Sequence, residues 1–396
     1  MSATLAEVLA RFGPQYLARH GLSRAQARAW RAIAACRTAA LGGERLQCDG
    51  CGAEQWRWHS CRNRHCPRCQ KQAADAWRRA RLTELLNVPY AHLVFTLPHE
   101  LNPLARAHAR WVYETMLACT AATLTEFAAN ARWLGGQAAF TLVLHTWTQD
   151  LRLHIHAHAL IACGVLTDDE RWRRPTRSDR FLFPVPALSR VFAGKFCAAL
   201  AAAECDSRLP QDPAATVSAW QRRLRTLRAT PWVVYAKTPL AGPAAVLDYL
   251  SRYTHRTAVG HERIVAVDGD GVRLRVRADA HGGKKVQRID GAEFIGRFLQ
   301  HVLPSGFKRI RHYGLLAARH KTQRLAQARA ALAMPAPNPI ARELVSEFMR
   351  RVAHIDIARC PHCRGGLRLV QRCAPVRGAP WPTAGKTVTA AVPQAP

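Results

Sequence analysis

Three histidines, His154, His156 and His158, alternate with apolar residues in the run LRLHIHAHALIACGVL at 151–166. Successive side chains of a strand point to opposite faces, so Arg152, His154, His156 and His158 share one side. Leu153, Ile155, Ala157, Ala159 and Ile161 make the other side apolar. Side chains two apart on a strand sit about 7 Å apart at the backbone. That is near enough for two imidazoles to converge on one divalent cation. A single such histidine is ordinarily a polar residue on a sheet face, whereas three in alternation argue for a ligand set.

Cysteines supply a second chemistry. CDGC at 48–51 and CPRC at 66–69 are two CxxC pairs with fourteen residues between them, close to the spacing of four-cysteine zinc sites. The expectation is one tetrahedral Zn2+ held by Cys48, Cys51, Cys66 and Cys69, because so short and polar a segment needs a metal to fold. Cys61, His59 and His65 inside the loop, and Cys36 just upstream, could replace one of the four or bind a second ion. CPHC at 360–363 supplies half a site, with Cys373, His354 and His362 nearby.

Tyr249 and Tyr253 stand four residues apart in DYLSRYTHR and so share one face of a helix. Such a pair is by default a packing pair, but here Arg252, His255 and Arg256 accompany it. Arg57, Arg62, Arg64, Arg68 and Lys71 crowd the cysteine segment with Trp56 and Trp58 among them, a mixture suited to phosphate contact plus base stacking. The plainer reading is a solvated basic face over a structural zinc site. Another basic stretch, GFKRIRHYGLLAARHKTQR, carries Lys308, Arg309 and Arg311. The whole chain sets 58 Lys and Arg against 27 Asp and Glu, a formal charge of +31 and a pI near 10.9. A polyanion, nucleic acid before an anionic membrane surface, is the expected partner.

The elements that must position these residues can be read from periodicity. Residues 1–40 read as helical, through Leu5, Val8, Leu9 and Phe12 and again through Ala27, Trp30, Ile33 and Ala34. A basic helix follows the cysteine segment, then a buried strand at 91–98 and a helix over about 103–130. AFTLVLHTW at 139–147 and the histidine run, separated by TQD, predict an antiparallel hairpin. Downstream come an Ala-rich helix at 187–205, a strand at PWVVYAK, the tyrosine helix and a hairpin turning at 268–271. The class is α+β. With neither a signal sequence nor a run of some eighteen apolar residues, the chain is expected to be a cytoplasmic protein with reduced thiols and no membrane partner.

These motifs together resemble the rolling-circle transposases of IS91-type insertion sequences. The resemblance is carried by CRTAALGG at 36–43, SCRNRHCPRCQ at 60–70, HLVFTLPHELN at 92–102 and LHTWTQDLRLHIHAHAL at 144–160. FLFPVPALSRVF, YLSRYTHRTAV and EFIGRFLQHVLPSGFKRIRHYGLLA extend it over nearly the whole chain. It implies an HUH-nuclease-like antiparallel sheet with flanking helices, preceded by a helical lead and a small zinc-binding module. The domains expected are 1–88, helical lead plus zinc module; 89–335, two-tyrosine nuclease; 336–373, the CxxC knuckle; and 374–396, a disordered tail.

The resemblance further implies that His156 and His158 are the metal-binding pair of the His-hydrophobic-His motif, with His154 and His156 as the other register. Ala157 departs from the larger aliphatic usual between them, and Ile155 from a frequent proline. His154, Gln149 and His145 are candidates for the third ligand of a catalytic Mg2+ or Mn2+. Tyr249 or Tyr253 would attack single-stranded DNA at the element ends, leaving a 5′-phosphotyrosine. Arg252, Arg256, Arg62, Arg64, Lys308, Arg309 and Arg311 would hold the DNA.

Overall fold

The computed structural model describes residues 3–175, 182–206, 209, 216–240, 246, 258–278, 283–341 and 343–376. In chain order the elements begin with α1 (Leu5–Leu17), α2 (Arg24–Ala34), β1 (Gly43–Cys48), β2 (Glu54–Trp58), α3 (Gln70–Leu82) and β3 (Tyr90–Thr96). Next are α4 (Asn102–Ala107), α5 (Ala109–Ala129), β4 (Gln137–Trp147), β5 (Leu153–Leu166), β6 (Trp172–Arg173), α6 (Val185–Cys205), α7 (Val217–Ala229) and β7 (Val234–Leu240). The series continues with β8 (Ile264–Asp268), β9 (Gly271–Arg277), β10 (Lys284–Asp290), α8 (Gly291–Leu299) and β11 (Ile310–Gly314). It ends with α9 (Lys321–Ala331), α10 (Val345–Ala353) and β12 (Leu367–Cys373). Among the described residues every strand pairing is antiparallel, and the class is α+β.

The chain divides into two compact units. The first joins Met1–Gln72, Val259–Val302 and Arg342–Pro396. Residues 259–302 therefore pack with the N-terminal segment, although they lie inside the stretch 89–335 expected to form one nuclease domain. In this unit Thr4 and Ser23 cap α1 and α2, each accepting from the backbone N–H of the third helical residue, Glu7 and Gln26. The apolar stripe of α1, Leu5, Val8, Leu9 and Phe12, is buried, and α1 packs on α8. Gly291 at the start of α8 lets the Phe12 ring lie where a side chain would otherwise stand. Two three-stranded sheets complete the unit, ordered β12-β1-β2 and β10-β9-β8.

The second unit, Ala73–Ala258 with Leu303–Ala341, is built on a sheet ordered β11-β4-β5-β3-β7, with β6 paired to β5. The hairpin foreseen from the histidine run is β4 and β5. One face of the sheet, bearing Leu93, Phe95, Phe140, Leu142, Ile155 and Ala157, is covered by α4, α5, α6 and α7 and forms the main core. Side chains of opposite parity form the other face, where Tyr90, Leu160, Ala162 and Leu166 pack with Leu325 and Ala328 of α9. Helix α6 is long and apolar enough to cross a membrane by length and composition, although Arg190 and Lys195 interrupt its apolar run. Its Leu188, Phe192, Phe196 and Leu200 are buried in the sheet core.

The tail expected to be disordered, 374–396, lies outside the described residues from 377 onward, and the tyrosine segment is outside them except for Val246 and Ala258.

Candidate functional site

The face of the second unit's sheet opposite α5 and α6 collects the histidines. His145 of β4 lies directly across from His156 of β5 in the strand register, so both point to the same side. His158 stands two residues along. The ligand nitrogens of His145, His156 and His158 all lie within 4.8 Å of one another. Their ring centroids are 5.3 Å apart for His145 and His156, 4.4 Å for His145 and His158, and 4.9 Å for His156 and His158. Of the three candidates for the third position, His145 is the one that converges with the pair. Gln149 is exposed beyond the end of β4. His154 turns to another partner: its Nδ1 lies 3.2 Å from His99 Nε2, with the rings edge to face. It stands outside the converged trio, two residues from His156 toward the turn that joins β4 to β5.

Two further contacts fix the ligand rings. His156 Nδ1 lies 3.0 Å from the His154 carbonyl, so Nδ1–H donates there and a cation would be taken through Nε2. His158 Nδ1 lies 2.9 Å from Nε2 of His92, whose ring stacks on it at 5.2 Å. His92, on β3 and 1% exposed, was not singled out by sequence reasoning. Its signal was its place in the same alternation on the neighbouring strand, which one histidine in an apolar run does not reveal.

Burial keeps these imidazoles neutral. It pushes His156 down to about 4, and His92 down to about 3 with added repulsion from Lys237 and His156. His158 is held well below the ordinary histidine range, by burial first and then by His145, His156, His92 and Lys237. Three converging imidazoles, His145 buried and His156 and His158 half-buried, are donors for a divalent cation, which needs deprotonated nitrogen. The donor set therefore fits a metal.

A stack leads outward from the trio. The Trp147 ring lies 4.6 Å from His145, and the Arg309 guanidinium sits 6.0 Å from the Trp147 centroid. The Arg309 carbonyl accepts from the Leu144 N–H at 2.9 Å, which ties this arginine to β4 beside His145. Lys308 is exposed next to it. Arg311 instead pairs with Leu142 on the helix-covered face, its guanidinium 5.3 Å from the Phe307 ring. Tyr249, Tyr253, Arg252 and Arg256 lie outside the described residues.

The cysteines are partitioned differently from the expectation. Cys48, Cys51, Cys66 and Cys69 do not converge on one point: Cys66 and Cys69 join Cys36 and Cys61, whereas Cys48 and Cys51 join Cys360 and Cys363. Each set of four sulfurs lies within 4.8 Å. The reason is topological. Cys36 follows the end of α2 and Cys61 follows β2, while β12 pairs with β1 and brings the distant CPHC knuckle to the turn between β1 and β2. In the first set Cys36 and Cys69 lie 3.4 Å apart and Cys61 and Cys69 3.6 Å apart. A tetrahedral zinc site with bonds of about 2.3 Å spaces its sulfurs about 3.8 Å apart. Within the set, hydrogen bonding from Cys61 pulls Cys36 down to about 6 and bonding from Cys36 lowers Cys69, whereas the same contacts raise Cys61 and Cys66. His59 and His65 are engaged elsewhere, His59 Nδ1 with the Leu41 carbonyl and His65 Nδ1 with Asn63 Oδ1.

Exposed Arg62 and Arg64 flank this set. On β2 the Trp56 and Trp58 rings stack at 4.7 Å, with Trp56 exposed.

Known proteins share this arrangement of sequence. Residues 139–324 match the family model described as "Putative transposase", and residues 8–97 match a transposase zinc-binding domain. Over 372 residues the chain is 41% identical to the "Putative transposase y4qJ" of Sinorhizobium fredii (strain NBRC 101917 / NGR234), covering 91% of this chain and 93% of that protein. The chain belongs to the IS91-type transposases. It is also 27% identical over 347 residues to the "Transposase for insertion sequence element IS801" of Pseudomonas savastanoi pv. phaseolicola, covering 86% of this chain and 82% of the other. No solved structure matches the chain. Membership makes the transposase an enzyme that cleaves and joins DNA, with zinc as a structural component of its N-terminal region.

Proposed function

We propose that the transposase cleaves single-stranded DNA at the ends of its element with a tyrosine nucleophile, Tyr249 or Tyr253, beside a Mg2+ or Mn2+ held by His145, His156 and His158. The observation that carries this reading is the convergence of those three imidazoles on one face of the sheet. A bound cation would polarise the scissile phosphate and stabilise charge on the departing oxygen. The phenol oxygen forms the new bond to phosphorus, the bond to the 3′ oxygen breaks, and the phenol proton ends on that 3′ hydroxyl. The 5′-phosphotyrosine link conserves the energy of the broken bond for later joining.

The protein's own groups account for orientation. His92 and the His154 carbonyl set the ligand rings, and Arg309, held over Trp147, offers a phosphate-binding guanidinium beside them. Val246, three residues before Tyr249, is buried with Leu160 and Ala162, whose side chains belong to the histidine face. Trp56 and Trp58, with Arg62 and Arg64, fit base stacking and phosphate contact, and Lys308 and the two arginines of the tyrosine segment, Arg252 and Arg256, extend the DNA-binding set.

The test is cleavage of an element-end oligonucleotide in Mg2+ or Mn2+, scored as a covalent protein adduct. Tyr249→Phe combined with Tyr253→Phe is expected to abolish the adduct, and an adduct formed by the double variant at the wild-type rate excludes both tyrosines as nucleophiles.

A further inference from the structure

We propose that Cys48, Cys51, Cys360 and Cys363 bind a second structural zinc ion, which clasps the C-terminal strand of the transposase to its N-terminal hairpin. The matched zinc-binding region, 8–97, contains only the first two of these residues.

The four sulfurs lie within 4.8 Å, with Cys48 and Cys363 at 3.3 Å and Cys51 and Cys360 at 3.8 Å. The second of these separations matches the tetrahedral spacing of about 3.8 Å and the first lies slightly inside it. The two contributing turns are copies of one shape, although they come from opposite ends of the chain. In each, the N–H of the first cysteine donates to the carbonyl five residues on, Cys48 to Ala53 and Cys360 to Gly365, both at 2.9 Å. The residue four on, Gly52 or Arg364, donates back to the carbonyl of the first cysteine at 3.0 Å. Both of these residues take left-handed backbone, φ 72° and 64°. Arg364 gives up the glycine normally favoured there, so the turn shape is kept against its conformational cost. Paired turns of this kind around a common centre are how two CxxC segments present four thiolates to one ion.

The surroundings are built around sulfur. Gly50 N–H donates to Cys48 Sγ at 3.3 Å and Gly365 N–H to Cys363 Sγ at 3.4 Å, contacts that stabilise thiolate charge. A Cβ on Gly365 would stand 3.0 Å from Cys48 Sγ and 3.3 Å from Cys363 Sγ, so only glycine leaves the cluster its room.

The strand held by this cluster is otherwise joined to the hairpin by its backbone ladder and by exposed polar contacts such as Arg368 with Asp49 and Arg372 with Glu44, with little apolar burial. β12 pairs with β1 from Gly43↔Cys373 to Cys48↔Leu367, yet its five central residues, Arg368–Arg372, are exposed. Leu369 and Val370 face solvent. With so little apolar burial to offset the cost of closing a loop of 309 residues between Cys51 and Cys360, an ion that binds only the closed arrangement supplies the missing stabilisation.

Cobalt titration of the full chain, prepared metal-free under reducing conditions, counts cysteine-bound ions through the thiolate-to-cobalt charge-transfer band. The histidine trio does not contribute to that band. Two equivalents are expected in the wild type. Cys360→Ser with Cys363→Ser should take up one, and Cys66→Ser with Cys69→Ser should also take up one, by loss of the other site. Should a serine variant misfold, Cys363→His keeps four ligands and should retain two equivalents with a shifted band. Saturation of the wild-type band at one equivalent would overturn the proposal. Disulfides joining Cys48 to Cys363 and Cys51 to Cys360 in the zinc-purified protein, read by mass spectrometry without reductant, would do the same.

Discussion

At the scale of single residues, the proposed site separates the converged His145, His156 and His158, which would hold the ion, from His92, whose ring supports that of His158. The convergence of His156 and His158 was legible because side chains that meet on one face of a strand must alternate, and alternation is visible in a string of letters. His145 was one of three alternatives until the register placed it opposite His156. Replacing His145, His156 or His158 by alanine removes a ligand, and a loss of at least roughly 100-fold in metal-dependent adduct formation is expected. His92→Ala removes only a ring support and should weaken Mn2+ binding by about 10- to 100-fold, measured by electron paramagnetic resonance. His154→Ala should leave Mn2+ affinity nearly unchanged, since its ring pairs with His99; an effect as large as that of His156→Ala would restore the other register. The cysteine partition was not legible, because spacing along one segment carries no trace of a knuckle some 300 residues away.

Elements position those residues through packing. Strand β3 lies between β5 and β7 and carries Phe95, fully buried, its ring centroid 5.2 Å from that of Phe192 in a T-shaped pair. Phe95→Ala should cost about 3–5 kcal/mol of stability in the second unit. The corresponding fall in the unfolding midpoint, read by calorimetry, should exceed that of an exposed substitution such as Arg171→Ala. The β4–β5 hairpin, β3 and α6 were plain from their apolar runs. The helix expected over 103–130 is instead two, α4 and α5, interrupted at His108, whose backbone leaves the helical region. No glycine or proline at that point announces the break. β1, β2 and β12 were missed as strands because GERLQC, EQWRW and LRLVQRC are short and rich in polar residues, and their order comes from pairing with each other around the cysteines.

For the whole molecule, the formal charge of +31 sets how DNA is first met. Each phosphate neutralised on a single strand steepens the salt dependence of binding by about 0.7 in log–log slope. A slope steeper than about −3 is expected, the mark of more than about four phosphate contacts, with Arg62→Glu and Arg64→Glu making it shallower. The fold class was legible before any coordinates, whereas the joining of residues 1–72, 259–302 and 342–396 into one unit was not, because each segment looks locally self-sufficient. The central claim, a histidine-held metal serving a tyrosine, is tested most directly by trapping the covalent adduct on a single-stranded element-end oligonucleotide in Mn2+ and mapping it by peptide mass spectrometry. The account predicts a 5′-phosphate on Tyr249 or Tyr253, formed in wild-type protein and lost with chelator or with His156→Ala. An adduct on any other residue, or cleavage that proceeds unchanged in chelator, would contradict it.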